Sequence, residues 1–453
     1  MREAYSSQPR LVEIWLDLDH AHELRQISEL LDRYPQITEA VVTDLRATKC
    51  LKSAVQGAHG LNAEQVLRAL LIKQLHGFSY RELAFHLADS RSFRTFCRFG
   101  ITDPTPSKSA LAAAIKVLRP ETLEEIHRCL LTAAQDHKVE AGQKVRIDCT
   151  VVESNIHRPS DSELLWDGVR VLSRLLNRLR DRLGAEVVVF ADRTRRAKRR
   201  RLEILNAKNS DQRRQAYLDL IAASEEVHRA GRLVVQRLRT QGDDLDKVAT
   251  RLVRKLEHFL GLIQKVLHQT RRRVLKQESV PAAEKVVSLF EEHTDVIRKD
   301  GRETYYGHKI CLVSGPSSLV LDCLMLEGNP ADSTLPKTMI ERQKEIFARP
   351  PRQAAFDGSF ASKENLANLK AQGVEDVAFS KRAHLPVEEM AQSVSVYRSL
   401  RNFRAGIEGN ISWLKRIFGL GRCPWRSQTS FRSYIWSSIL AFNLLVLARH
   451  LLS

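Results

Sequence analysis

Lys144-Val145-Arg146-Ile147-Asp148-Cys149-Thr150-Val151-Val152 is the stretch on which the fold turns. It is short and rich in β-branched residues, so it predicts a strand, with one carboxylate, Asp148, set in an otherwise apolar run. Strand-like segments recur only beyond residue 300. Tyr305 to Val313 and Leu319 to Leu326 flank Ser314-Gly315-Pro316-Ser317-Ser318, the pattern of a β-hairpin. A helix is expected from Leu335 to Phe347, then a short strand, Ala354-Ala355-Phe356, ending at Asp357-Gly358. A helix from Ser362 to Lys370 leads to a last strand, Asp376 to Ser380, and helices finish the chain. The order strand, hairpin, helix, strand, helix, strand, helix implies a mixed α/β sheet with helices on its faces.

Upstream, residues 62–130 read as helices. Asn62 is placed to cap a helix whose apolar positions are Val66, Leu67, Leu70, Leu71 and Leu75, ending at His76-Gly77. Ser79-Tyr80-Arg81-Glu82 is a capping box. Ser107 or Ser109 starts a later helix that ends before Pro120. Short helices with basic exposed positions suit a helix-turn-helix DNA reader or an ordinary helical bundle. Between the first strand and residue 290 lies a long Gly-poor stretch. Leu172, Leu175, Leu176, Leu179 and Leu183 give it an apolar helical face, and two long antiparallel helices are expected. It holds sections dense in charge, Arg193 to Arg201 and Arg251 to Lys276, the second ending in Arg271-Arg272-Arg273-Val274-Leu275-Lys276. Each is either a solvated face or a surface for phosphates.

The whole chain of 453 residues is also basic, with 72 Lys plus Arg against 54 Asp plus Glu and a net charge of +18. That balance favours polyanionic partners. A hydrophobic share of 43% is enough for a packed core and argues against global disorder. The seven cysteines are scattered, with no Cys-x-x-Cys pair, which excludes a zinc ribbon or a disulfide framework and suits a reducing cytosol. The first twenty residues are too acidic for a signal peptide. The apolar end from Ile435 to Leu447 is expected to be a buried helix rather than a membrane span.

Asp148 and Asp357 sit in or at the end of strands, where a lone aspartate is most often a turn former or a cap. Glu408 lies in Arg404-Ala405-Gly406-Ile407-Glu408-Gly409-Asn410-Ile411-Ser412-Trp413-Leu414-Lys415. At about 100° per residue, Arg404, Glu408 and Lys415 project from one helix face. Gly406 and Gly409 cost helix stability, roughly 1 kcal/mol each, and small residues beside a carboxylate suit close approach by a ligand or by backbone.

These features together resemble the DDE transposases of bacterial insertion sequences, whose core is RNase-H-like. Their third carboxylate lies in a Tyr, Arg, Glu, Lys signature with two, three and six residues between successive members. Arg404, Glu408 and Lys415 keep those gaps. Arg401 stands at the Tyr position, and Tyr397, one turn earlier, is the candidate substitute. Leu61 to Phe99 resembles the family's N-terminal helical domain, Asp148 to His157 its first catalytic strand, and Ser162 to Gly168 the segment after it. Asp357-Gly358-Ser359-Phe360 resembles the context of its second carboxylate.

The resemblance implies a fold of three parts: an all-α N-terminal domain, an RNase-H-like α/β catalytic core and a large α-helical insertion. It divides the chain into an extension over 1–60, a DNA-binding helical domain over 61–138, core segments over 139–170 and 296–453, and the insertion over 171–295. It implies a bacterial, cytoplasmic transposase that binds terminal inverted repeats and target DNA as a homodimer, with no membrane partner. Asp148, Asp357 and Glu408 would be both catalytic and metal-binding, and Arg404 and Lys415 would contact phosphate or support the site. The cofactor would be Mg²⁺, with Mn²⁺ able to substitute. Such ions prefer carboxylate oxygens, and a pair of them can activate the nucleophile and stabilise the leaving oxygen. Two alternatives stay open: a nuclease of the same core without strand transfer, and a catalytically inactive DNA-binding relative.

Overall fold

The computed structural model describes residues 3–5, 15–47, 60–100, 103–241, 245–299, 303–381 and 383–453. Parts of the extension expected over 1–60, and Cys50, lie outside the described residues. Along the chain come α1 (Asp19–Arg33), α2 (Gln36–Ala47), α3 (Ala63–Leu75), α4 (Tyr80–Asp89), α5 (Arg91–Phe96), α6 (Lys108–Ile115) and α7 (Pro120–Asp136), then β1 (Lys144–Ser154). The next helices are α8 (Asp161–Leu183), α9 (Thr194–Asn206), α10 (Ser210–Gln241) and α11 (Lys247–Thr270). They are followed by β2 (Asp295–Lys299), β3 (Glu303–Ser314) and β4 (Val320–Met325). The remainder is α12 (Pro336–Phe347), β5 (Gln353–Phe356), α13 (Lys363–Ala371), β6 (Asp376–Phe379), α14 (Val387–Met390), α15 (Val394–Arg416), β7 (Arg422–Cys423) and α16 (Gln428–Leu452).

Two compact units result, one of residues 1–155 and 308–453, the other of residues 156–307. In the first, the sheet runs β4-β3-β1-β5-β6, with β7 alongside the end of β1. β1, β5 and β6 are mutually parallel, and β4 runs antiparallel to β3. The parallel strands are buried almost throughout, as strands covered on both faces should be. Asp148 is the one residue between Val145 and Val152 that is not fully buried.

The local signals behave as the residues dictate. Asn62 with Gln65, and Ser79 with Glu82, form complete capping boxes at the starts of α3 and α4. Gly77 takes a left-handed φ of +66° just past the end of α3. Ser107 caps α6, and Pro120 opens α7 where its missing N–H costs nothing. Arg68 of α3 is fully buried, and its charge is answered by Glu64 at 3.2 Å and Asp32 at 2.7 Å. All six described cysteines are free.

α16 is long and apolar enough to cross a membrane by length and composition, but 78% of its apolar window is buried inside the fold. Its polar residues explain this. The Asn443 side chain accepts from the Val320 N–H at 2.9 Å and donates to the Val320 carbonyl at 2.7 Å, closing backbone groups of β4. The Ser433 hydroxyl donates to the Leu118 carbonyl, and Gln74 donates to Ser437.

The second unit corrects one expectation. Among the described residues it holds four α-helices, α8 to α11, rather than two, with β2 and the first part of β3 as a two-stranded ribbon, so strands resume at 295 rather than 300. The basic run around α9 is largely neutralised from within. Arg193 and Arg196 pair with Glu226, Arg196 and Arg200 with Asp219, and Arg201 with Glu163. Arg271 pairs with Glu225, and Arg272 with Glu278 and Glu284. On the other side of α9, Arg195, Lys198 and Arg199 are exposed.

Candidate active site

Three elements of the first unit meet at one guanidinium. Asp148 stands in the middle of β1, Asp357 immediately follows β5, and Glu408 lies on α15. β1 and β5 are paired neighbours, with Ile147 beside Phe356, so the two aspartates leave adjacent strands at the same level. Arg404, one helical turn before Glu408, reaches all three. Its Nη2 is 3.0 Å from Asp148 Oδ2 and 3.2 Å from Asp357 Oδ1, and its Nη1 is 2.6 Å from Glu408 Oε1. The Arg404 side chain is only 14% exposed and its Nε is buried without a partner, whereas Glu408 is 65% exposed. The three sequence-nominated carboxylates are therefore brought together, at the open end of a partly buried ion cluster.

Each aspartate is held in place. Asp148 Oδ1 accepts from the Cys149 N–H at 2.8 Å, while Cys149 itself turns into the core, as alternation along a strand requires. Asp357 Oδ1 accepts from the Ser380 hydroxyl at 2.7 Å. Partial burial disfavours the charged form of Asp357, but the Ser380 hydroxyl, the Gly358 N–H and Arg404 outweigh it and hold the pKa below the ordinary carboxylate value.

The placement of α15 depends on residues that sequence reasoning did not single out. Asn410 is buried and donates to the Ser314 hydroxyl at 2.7 Å and the Ser318 carbonyl at 2.9 Å, tying the helix to the β3–β4 hairpin. Arg146, two residues before Asp148 on β1, lies over the Phe403 ring at 4.9 Å and donates to the Phe403 carbonyl at 3.3 Å. That contact explains Gly406, since a Cβ there would strike the Arg146 guanidinium. Gly409 has open space instead. The close approach expected beside Glu408 is thus made at Gly406 alone, and it is to a neighbouring side chain.

Tyr397 is buried and its hydroxyl donates to the Phe379 carbonyl at 2.8 Å, at the end of β6, while Arg401 is exposed. Lys415 is on the same helix as Glu408, seven residues on, roughly 10 Å along the axis. A further carboxylate, Asp332, stands near Asp357 and is bound by Lys309 at 2.6 Å and by the Ser359 hydroxyl at 2.8 Å. Its sequence signal, Gly328-Asn329-Pro330-Ala331-Asp332, reads as a plain turn.

Chemically, three carboxylates offer only hard oxygen donors, the set that Mg²⁺ or Mn²⁺ prefers. With Arg404 lodged among them, no group of three or more His, Cys, Asp or Glu among the described residues is assembled as a metal site. The oxygens that Arg404 contacts are of the donor type that a hard divalent cation takes.

Two known families match parts of the chain. Residues 13–116 match the family described as a transposase domain (DUF772), and residues 289–444 match the family described as a transposase DDE domain. The chain belongs with the DDE transposases of insertion sequences. The DDE match covers β5, α15 and most of α16, and so includes Asp357, Arg404, Glu408 and Lys415. Asp148, on the central strand, lies between the two matches. No curated protein and no solved structure gives a significant match.

Proposed function

We propose that this transposase binds the terminal inverted repeats of its element, cuts the DNA at those ends and joins them to target DNA, using an RNase-H-like core. The observation that carries the reading is the meeting of Asp148, Asp357 and Glu408 at Arg404, from two adjacent parallel strands and one helix. The central position of β1, with the hairpin on one side and two parallel strands on the other, suits an RNase-H-like sheet.

In this reading the three carboxylates hold a pair of divalent ions, Mg²⁺ or Mn²⁺. Bound there, such ions supply activation of a water or 3′-hydroxyl and neutralise the oxygen that leaves phosphorus. The chain's own residues do the rest. Asp148 and Asp357, fixed by the Cys149 N–H and the Ser380 hydroxyl, present their oxygens in a constant direction. Glu408, largely exposed, closes the set from the solvent side. Arg404 keeps the carboxylates from repelling one another in the free protein, and turns toward a DNA phosphate when its place is taken. Lys415, further along the same helix face, supplies a point charge to a neighbouring phosphate.

The helices of residues 61–138 are assigned to recognising the ends, and the helical insertion, set by sequence at 171–295, to holding flanking DNA. Two ends must be handled together, so a homodimer on DNA, in the bacterial cytoplasm, completes the proposal.

The test uses the DNA flanking the gene, which supplies the inverted-repeat end. Labelled end duplex should be nicked at the repeat boundary when Mg²⁺ or Mn²⁺ is present and left intact with EDTA. Tight end binding with no nicking under either metal would replace this reading with that of an inactive DNA-binding relative.

A further inference from the structure

α11 separates its residues by side. Val253, Leu256, Leu260, Ile263 and Leu267 are buried in the core of the second unit. At about 100° per residue, Lys247, Arg251, Arg254, Lys255 and Lys265 fall together on the opposite side, and all five are exposed. Among the described residues none of these five side chains has a hydrogen bond or an ion pair. Nearby carboxylates are taken by other groups: Glu257 by Arg239, and Glu292 by His258 at 2.6 Å. The charged section from Arg251 to Lys276 therefore divides. Its arginines beyond α11 are answered, Arg271 by Glu225, Arg272 by Glu278 and Glu284, and Arg273 by Asp161. Its earlier cations are not.

This face costs the helix stability. Lys247 and Arg251, and Arg251 and Lys255, are like charges four residues apart, and such pairs repel. Lys247 stands at the first position of α11, where the helix dipole disfavours a cation. An ordinary solvated face mixes both signs and avoids these costs. Gly261 adds a second observation. The glycines of α8 and α10 are explained by packing on α11, since a Cβ at Gly168 would lie 3.0 Å from Ile263 and one at Gly231 3.0 Å from Leu260. Gly261 is exposed, on the cationic side between Lys255 and Lys265, and a Cβ there would meet nothing. Nothing within the unit requires a glycine at that position, and its bare backbone admits a close neighbour from outside.

We propose that the outer face of α11 lies against the DNA backbone, with Arg251, Arg254, Lys255 and Lys265 on successive phosphates and Gly261 giving the strand room to approach. The five cations extend along about 27 Å of helix axis, and duplex DNA carries a charge every 3.4 Å or so on each strand. A line of cations with no carboxylate among them complements such a line of phosphates. The outer side of α9 offers only Arg195, Lys198 and Arg199, within about one turn. Phosphate contacts read no sequence, so this face grips DNA without choosing it. The assignment rests on the transposase reading and names where the helical unit touches its substrate.

The test uses the full chain and a fluorescein-labelled duplex, with affinity measured across a salt series. Each phosphate contact contributes about 0.9 to the slope of log affinity against log salt. An Arg251→Gln, Arg254→Gln, Lys255→Gln protein should lose up to about 2.7 from that slope, alike for all duplex sequences. Gly261→Leu leaves the charge unchanged and puts a good helix former where the fold has open space. It should hold or raise the melting temperature and yet weaken duplex binding several-fold. Duplex should also protect Lys255 and Lys265 of the wild type from acetylation. An unchanged slope in the triple variant, a Gly261→Leu protein that binds duplex as tightly as wild type, or Lys255 and Lys265 acetylated equally with and without duplex would each overturn the proposal. Wild-type protein that binds no duplex at all would instead bring down the transposase reading on which the proposal rests.

Discussion

Asp148→Asn is expected to bind end DNA within about twofold of wild type and to cut it at least about a thousandfold more slowly. The amide keeps the shape of the carboxylate and its hydrogen bond from the Cys149 N–H, but removes the charge that attracts a divalent ion. Asp148 sits on the central strand of the sheet, with a side chain only 15% exposed. Affinity for DNA comes mainly from phosphate contacts made elsewhere. Gel-shift binding and nicking of the same labelled end, run in parallel, separate the two effects. An Asp148→Asn protein that still cuts would take Asp148 out of the active site while leaving the family assignment untouched.

Arg404→Gln is expected to move two measurements in opposite directions. In the free protein Arg404 contacts all three carboxylates at 2.6–3.2 Å, and so competes with a metal ion for them. Charge-assisted hydrogen bonds contribute roughly 1.5–3 kcal/mol each. Removing this competitor should tighten Mn²⁺ binding by about tenfold or more, which corresponds to about 1.4 kcal/mol. Electron paramagnetic resonance of free Mn²⁺ titrated with protein measures this without any DNA. Cutting of end DNA should nevertheless fall, because the guanidinium is no longer there to meet a phosphate. The wild-type complex should also bind Mn²⁺ more tightly with end DNA than without it, since a phosphate that draws Arg404 away frees the carboxylates. Equal Mn²⁺ affinity in the wild type and the variant would show that Arg404 does not hold the carboxylates in solution.

Much of the fold was legible because its signals are local. A capping box needs residues three apart, and the one expected at Ser79 forms, as does the cap expected at Asn62, which Gln65 completes into a second box. The strands around Asp148 and Asp357 are short apolar runs whose polar ends stand out. What was not legible depended on partners remote in sequence. The arginines from 193 to 201 read as either a solvated face or a surface for phosphates, yet most are bound by Asp219, Glu226 and Glu163, residues that only the packing of α8 and α10 brings near. Leucine periodicity from Leu172 to Leu183 pointed to a helical stretch running to about residue 290 but not to where it turns, and so gave two helices where α8 to α11 form. Gly406 looked like room for a ligand until β1 placed Arg146 against it. Asp332 sat unnoticed in a turn because its approach to Asp357 is purely tertiary.

Whether the carboxylates act on the scissile phosphate through bound divalent ions is decided by placing sulfur at that phosphate. Mg²⁺, a hard ion, accepts oxygen and disfavours sulfur, whereas softer Mn²⁺ tolerates it. With one non-bridging oxygen of the scissile phosphate replaced by sulfur, Mg²⁺-supported cutting should slow by at least about tenfold in one diastereomer, and Mn²⁺ should restore most of the rate. Equal rates in Mg²⁺ for the oxygen form and both sulfur forms would contradict a metal ion held by Asp148, Asp357 and Glu408 at the phosphate being cut.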